Sequence, residues 1–201
     1  MRLGRVEATG GFFLLAAWLN YLDRDRIVPL VMAACLLHEL GHYLAIRLLG
    51  GDVKLIRLTA VGAEMVLSRP LSYGREGAAA LAGPLVNLML AALFCRWSWG
   101  QLFAGLNLVL GCFNLLPVGR LDGGRLVFCL LSLLAGPEAA RRVQGRLDGI
   151  CTGALLAGGL WLAGAGRNIT LLLVSLWLLV NFLSEQDLQF GSCHRGRKRV
   201  K

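Results

Sequence analysis

Charged side chains are scarce in this chain. They make up 16% of its 201 residues, while 56% are hydrophobic and the mean hydropathy is +0.63. So little charge cannot coat a water-soluble domain of this size, and long apolar runs put the chain in the membrane class. The length leaves no room for a large soluble domain beside a membrane one. Paired cysteine motifs are missing as well: there are six cysteines and no C-x-x-C. Cys35, Cys95, Cys112, Cys129 and Cys151 sit in or at the edge of apolar segments. That argues against a disulfide framework and for buried free thiols acting as small hydrophobes. Cys193 stands apart in a basic tail. No internal repeat and no low-complexity linker is visible. The first apolar run ends in "WLNYLDRDR" without a small-residue cleavage site, so it reads as a short retained span rather than a signal peptide.

Six apolar segments are present, at about 9–22, 27–49, 77–95, 101–136, 149–165 and 168–184. A span needs about 20 apolar residues. The fourth segment is too long for one straight span, and "NLLPVGRLDGGR" interrupts it with Pro117, Gly119, Gly123 and Gly124. A broken helix at membrane depth is tolerated only inside protein or beside a cavity. Six spans put both termini on one side, expected to be cytoplasmic. That side carries Arg2, Arg5, Lys54, Arg57, Arg69, Arg75, Arg141, Arg142 and Arg146, with five more Lys or Arg in the tail. The other side carries Arg24, Arg26, Arg96 and Arg167. The positive-inside rule favours this arrangement.

The net charge of +9 is thus mainly an orientation signal. The tail "HRGRKRVK" has no interleaved aromatics, which argues against nucleic acid and for anionic lipid. Residues 52–67 alternate loosely in Val, Ile and Thr and read as two short strands at the membrane surface. Residues 137–147 read as a cytoplasmic loop or short surface helix. Trp97 and Trp99 suit an interfacial anchor. Asn107 and Asn181 each suit a hydrogen bond between helices; Asn107, just before the break in the fourth segment, is also a candidate to support the site.

Against this background "LLHELGHYLA", residues 36–45, is anomalous. An ionisable residue at a helix centre costs about 2.5–3.5 kcal/mol on insertion scales and marks function by default. In H-E-x-x-H the histidines lie four residues apart on one helix face, so both imidazoles reach one ion. The glutamate beside the first can act on water at that ion. Zinc lowers the pKa of its water to about 7. A catalytic zinc takes three protein ligands and keeps one position open. The remaining histidine, His194, is in the tail, so the third ligand must be a carboxylate. Asp122 in "RLDGGR" is the best placed, at the break in the fourth segment.

These residues carry a resemblance. "HELGH", "AGPLVN" at 82–87 and "NLLPVGRLDGG" at 114–124 resemble the site-2 protease family of intramembrane zinc metalloproteases over roughly residues 27–136. The small size is most similar to the stage IV sporulation FB-type branch, here without its nucleotide-sensing domain. The resemblance implies one zinc held by His38, His42 and Asp122, with Glu39 as catalytic base. It implies that Asn87 and Asn114 support substrate backbone or oxyanion, and that the strand pair at 52–67 receives substrate as an added strand. Its substrates would be membrane-associated proteins, such as transcription-factor precursors. Gly119 and Arg120 stand where the family often has proline, and "TAVGAE" replaces a more usual aromatic-Gly-Gly turn.

The expected architecture is an all-α polytopic membrane protein of a bacterial cell membrane. It has about six transmembrane helices, a broken fourth segment and a short surface β-hairpin. Residues 1–184 form one metalloprotease domain and 185–201 a basic cytoplasmic tail. Expected partners are the bilayer, a membrane-associated protein substrate and a regulatory membrane protein, with no nucleic acid and an open oligomeric state. Two rivals remain. A metal transporter would spread its acids and histidines along a path across the bilayer, whereas here they cluster at one depth. An inactive homologue serving as a membrane scaffold would not need Glu39.

Overall fold

The computed structural model describes residues 2–3, 6–9, 27–59, 62–166, 169–180 and 182–183, with positions 17, 21 and 23. Most of the first apolar segment and the whole basic tail lie outside these residues, as do Asn181, Cys193 and His194.

The first helix, α1 (Ile27–Leu48), starts where Asp23 caps it. Both Asp23 carboxylate oxygens accept backbone N–H bonds, from Ile27 at 2.9 Å and Val28 at 2.8 Å, satisfying donors that have no partner in a first turn. Pro29 falls in that turn, where its missing N–H costs nothing. The helix ends at Gly50, whose φ of +80° suits glycine. Gly51 N–H closes the end onto Ile46 O at 2.8 Å.

A four-stranded sheet follows, ordered β1 (Arg2–Leu3), β2 (Val6–Ala8), β3 (Val53–Thr59) and β4 (Gly62–Leu67). β3 and β4 form the antiparallel hairpin, with Val53 opposite Leu67. β2 runs parallel to β3, with Val6 opposite Ile56. These two short N-terminal strands were not expected from the sequence. The sheet packs on the ends of two helices through Val53, Ile46, Ala79, Met65 and Leu71.

The centre of the molecule is α2 (Tyr73–Phe94), which contacts α1, α3 (Gln101–Asn114) and α4 (Asp122–Ala135). Its buried side is Gly77, Ala79, Ala80, Gly83, Pro84, Asn87 and Ala91. Small residues let helix backbones approach closely where no water drives association. α5 (Pro137–Gly164) starts after Gly136, at φ +83°, and absorbs residues 137–147 into one 28-residue helix. α6 (Thr170–Val180) is shorter.

Among the described residues, three helices, α1, α2 and α5, are long and apolar enough to cross a membrane. α3 and α4 have 14 residues each, roughly 21 Å at the helical rise, against a hydrocarbon core of about 30 Å. Large apolar side chains cover the outer surface; Leu36 is 67% exposed, Met89 70% and Leu134 83%. That surface suits hydrocarbon. The five described cysteines are free, and Cys129 is buried. Cys95 and Cys112 are exposed rather than buried, because here the outer surface is as apolar as the interior.

Candidate metal centre

α1 presents His38 and His42 on one face, as four-residue spacing requires. Asp122, the first residue of α4, meets them. Asp122 Oδ2 lies 3.1 Å from His38 Nε2 and 3.2 Å from His42 Nε2, and the two Nε2 atoms are 3.1 Å apart. Among the described residues, one group of three potential metal ligands comes together, and it is this one.

The opposite ring nitrogens are held by α2. His38 Nδ1–H donates to Asn87 Oδ1, and His42 Nδ1–H donates to the Ala79 carbonyl at 2.8 Å. Since both acceptors are oxygens, each ring carries a proton on Nδ1, which leaves Nε2 as the atom that faces Asp122 and can serve a metal. This is the arrangement that metal-ligating histidines show. Ligands at about 2.0–2.2 Å in a tetrahedron have donor atoms about 3.3–3.6 Å apart. The donors found here are within a few tenths of that, so the three residues fit a zinc ion.

Close packing by glycine brings the parts together. A Cβ at Gly83 would overlap the His42 imidazole. After α3 ends, residues 115–121 leave the helix. A Cβ at Gly123 would collide with the Leu115 carbonyl, and one at Gly124 with the Val118 carbonyl. The two glycines after Asp122 therefore let the loop backbone cross the first turn of α4. An acid in that turn also meets the positive end of the helix dipole.

Asn87 is fully buried. Its Nδ2 donates to Asn107 Oδ1 at 2.7 Å and to the Ala34 carbonyl at 3.3 Å, and Asn107 Nδ2 donates to the Phe103 carbonyl at 2.8 Å. A chain of amides thus runs from His38 into α3. Asn114 lines the cleft instead, with Nδ2 donating to Leu110 O at 3.1 Å. Glu39 lines the same cleft, which measures about 1010 Å³ and is bounded by His38, His42, Asp122, β4 and α6. The Ala79 carbonyl was missed by sequence reasoning because a backbone acceptor leaves no residue-type signal.

A model of peptidase family M50 matches residues 96–156, the stretch with Asn114 and Asp122. Rip3 of Mycobacterium tuberculosis is 34% identical over 187 residues, covering 78% of this chain and 46% of that protein. A zinc metalloprotease of Methanocaldococcus jannaschii is 30% identical over 171 residues, covering 79% of this chain and 48% of that protein. The chain belongs to the site-2 protease family, peptidase family M50. Stage IV sporulation protein FB of Bacillus subtilis is 31% identical over 163 residues, covering 74% of this chain and 53% of that protein. That similarity does not single out the FB-type branch from the rest of the family. The chain spans about half the length of the curated relatives it matches. The solved site-2 protease of Methanocaldococcus jannaschii superposes with a TM-score of 0.67 at 24% identity, covering 92% of this chain and 93% of that one. This likeness shows a shared fold. The family and the apolar helices make this a membrane protein, and the names of the relatives imply zinc.

Proposed function

We propose that the chain is a zinc-dependent endopeptidase that hydrolyses a peptide bond of membrane-associated protein substrates. The observation that carries the reading is the convergence of His38 Nε2, His42 Nε2 and Asp122 Oδ2, with both outer ring nitrogens satisfied, in the cleft that Glu39 lines. These three residues hold one zinc per chain. Zinc there supplies Lewis acidity and brings the pKa of water to about 7. Glu39 takes the proton from the attacking water and later delivers it to the leaving amine nitrogen.

In this reading Asn87, buried and bonded to His38, acts on His38, where the resemblance implied support of substrate. Asn114 has a second amide N–H, available for a substrate carbonyl or its oxyanion. Substrate enters extended, since a helix hides its peptide carbonyls in its own hydrogen bonds. β4 lies at the sheet edge, and its Met65 and Leu67 line the cleft; an edge strand accepts a further strand. The chain is multi-pass with cytoplasmic termini. Residues 1–184 form the protease domain, and the rest is a tail on the lipid surface.

The test is zinc content and cleavage of single-span substrates by the detergent-purified wild type, Glu39→Gln and Asp122→Ala. The reading expects about one zinc per chain in wild type and Glu39→Gln, less in Asp122→Ala, and cleavage by wild type alone. Cleavage that survives Glu39→Gln, or a wild type without zinc, sinks it.

A further inference from the structure

The loop that delivers Asp122 is held by a helix that contributes no metal ligand. The Gly119 N–H donates to Asp148 Oδ1 at 2.7 Å. Gln144, one turn earlier on α5, donates its amide to the same oxygen at 2.7 Å and to the Pro117 carbonyl at 3.3 Å. Asp148 and Gln144 are both buried, at 8% exposure each. Glycine at 119 leaves room for the contact: a Cβ there would lie 2.8 Å from Asp148 Oδ2, and the carboxylate would have to shift. The loop's other side is apolar: Val118 and Leu121 are buried against Leu155, Val174 and Leu178. Residues 117–121 are therefore gripped on two sides, and Asp122 is the next residue.

A buried carboxylate on a helix of spanning length is costly, and such a group persists where its hydrogen bonds serve a purpose. The named partners of Asp148 lead to the backbone just before Asp122. In this chain glycine supplies the N–H and also leaves space for the carboxylate that accepts it, so Gly119 and Asp148 form a matched pair.

We propose that Asp148, with Gln144, is a positioning residue for the metal centre: it fixes the backbone at 117–119 and through it the direction of the Asp122 carboxylate. The inference rests on the protease reading for its catalytic consequence, while the clamp itself is readable without metal or substrate. The full chain in detergent is compared as wild type, Asp148→Asn, Asp148→Leu, Gly119→Pro and Gly119→Pro/Asp148→Leu. Three quantities are measured: hydrogen exchange over residues 115–121, zinc affinity by chelator competition, and kcat and KM.

Asp148→Leu should speed exchange, weaken zinc binding and lower kcat by about tenfold or more, with KM moving less than about twofold. Asp148→Asn keeps an acceptor oxygen and should retain most of each property. The double variant should be no worse than Gly119→Pro alone, because the second change finds the hydrogen bond already gone. Where Asp148→Leu does not fold, Gly119→Pro removes the same bond from the loop side and carries the test. Exchange unchanged by these variants, Asp148→Asn as impaired as Asp148→Leu, or losses that multiply in the double variant would overturn the proposal. A wild type with neither zinc nor cleavage would remove the protease reading, and exchange over 115–121 would still decide the clamp.

Discussion

Replacing Asn87 with leucine separates a residue that positions the metal from one that touches substrate. Leucine is similar in bulk and accepts no hydrogen bond. It takes the acceptor from His38 Nδ1–H, and it also removes the amide that donates to Ala34 O and Asn107 Oδ1. His38 is 6% exposed, so water does not replace the lost acceptor. A buried donor left unsatisfied costs about 1–3 kcal/mol. Without metal, His38 escapes that cost by moving its proton to Nε2, toward Asp122. With metal it cannot, because Nε2 is the ligand atom. The penalty therefore falls on the zinc-bound state, and about 1–3 kcal/mol is roughly 5- to 150-fold in dissociation constant. Loss of a partner behind a metal ligand costs about 10- to 100-fold elsewhere, which falls inside this range. Competition against a chromogenic chelator, at one pH and with circular dichroism to confirm folding, measures it. Asn114→Leu is the control, since Asn114 bonds to Leu110 O and to neither histidine; it should keep zinc affinity within about twofold while losing turnover. If Asn87→Leu binds zinc like wild type yet loses cleavage, Asn87 works on substrate after all and this reasoning fails.

Other expectations follow from the same geometry. Gly83→Ala puts a methyl group into the His42 ring, so the imidazole must leave its place; zinc content and melting temperature should both fall, by about 1–3 kcal/mol in stability. Glu39→Gln keeps every ligand, so zinc content should persist while turnover drops by about 10²–10⁴-fold, the range of a lost general base; calorimetry and cleavage on one preparation show both. Stripping zinc should lower the unfolding midpoint by the binding linkage, about 2.7 kcal/mol at a free zinc level of 100 times the dissociation constant. Readdition should restore the midpoint and cleavage together, and an unchanged midpoint would place the metal outside the folded core.

Much of the centre was legible because it is local or because chemistry left little choice. H-E-x-x-H is a helix-face pattern, and helix spacing alone brings His38 and His42 to one point. Asp122 followed from its place: it is an acid at a helix break between two apolar runs, with no further histidine nearby in the sequence. The hairpin at 53–67 showed itself in β-branched residues. What was hidden depends on approach between distant segments. Asn87 is 49 residues from His38 and reads by itself as a polar spot on an apolar helix. Asp148 carries no motif in the sequence, and only the turn at 117–119 reveals it as an acceptor. β2 pairs in parallel with β3 across some 50 residues; the arginines of this stretch of sequence, Arg2 and Arg5, suggest a cytoplasmic flank before they suggest a sheet.

The G-P-x-x-N stretch shows how one helix face can be read once its partners are known. Ala79, Gly83 and Asn87 recur every four residues on α2, so they form one stripe. The first gives its carbonyl to His42, the second gives up its side chain to make room for that ring, and the third gives its amide oxygen to His38. Each fills a different need of the same two imidazoles on α1, which are themselves four residues apart. A glycine–asparagine spacing of four thus matches the histidine spacing of four on the helix opposite. Moving the asparagine by one position would turn its amide about 100° away from His38, whose ring is buried. The spacing in this motif therefore matches the spacing of the two imidazoles it holds.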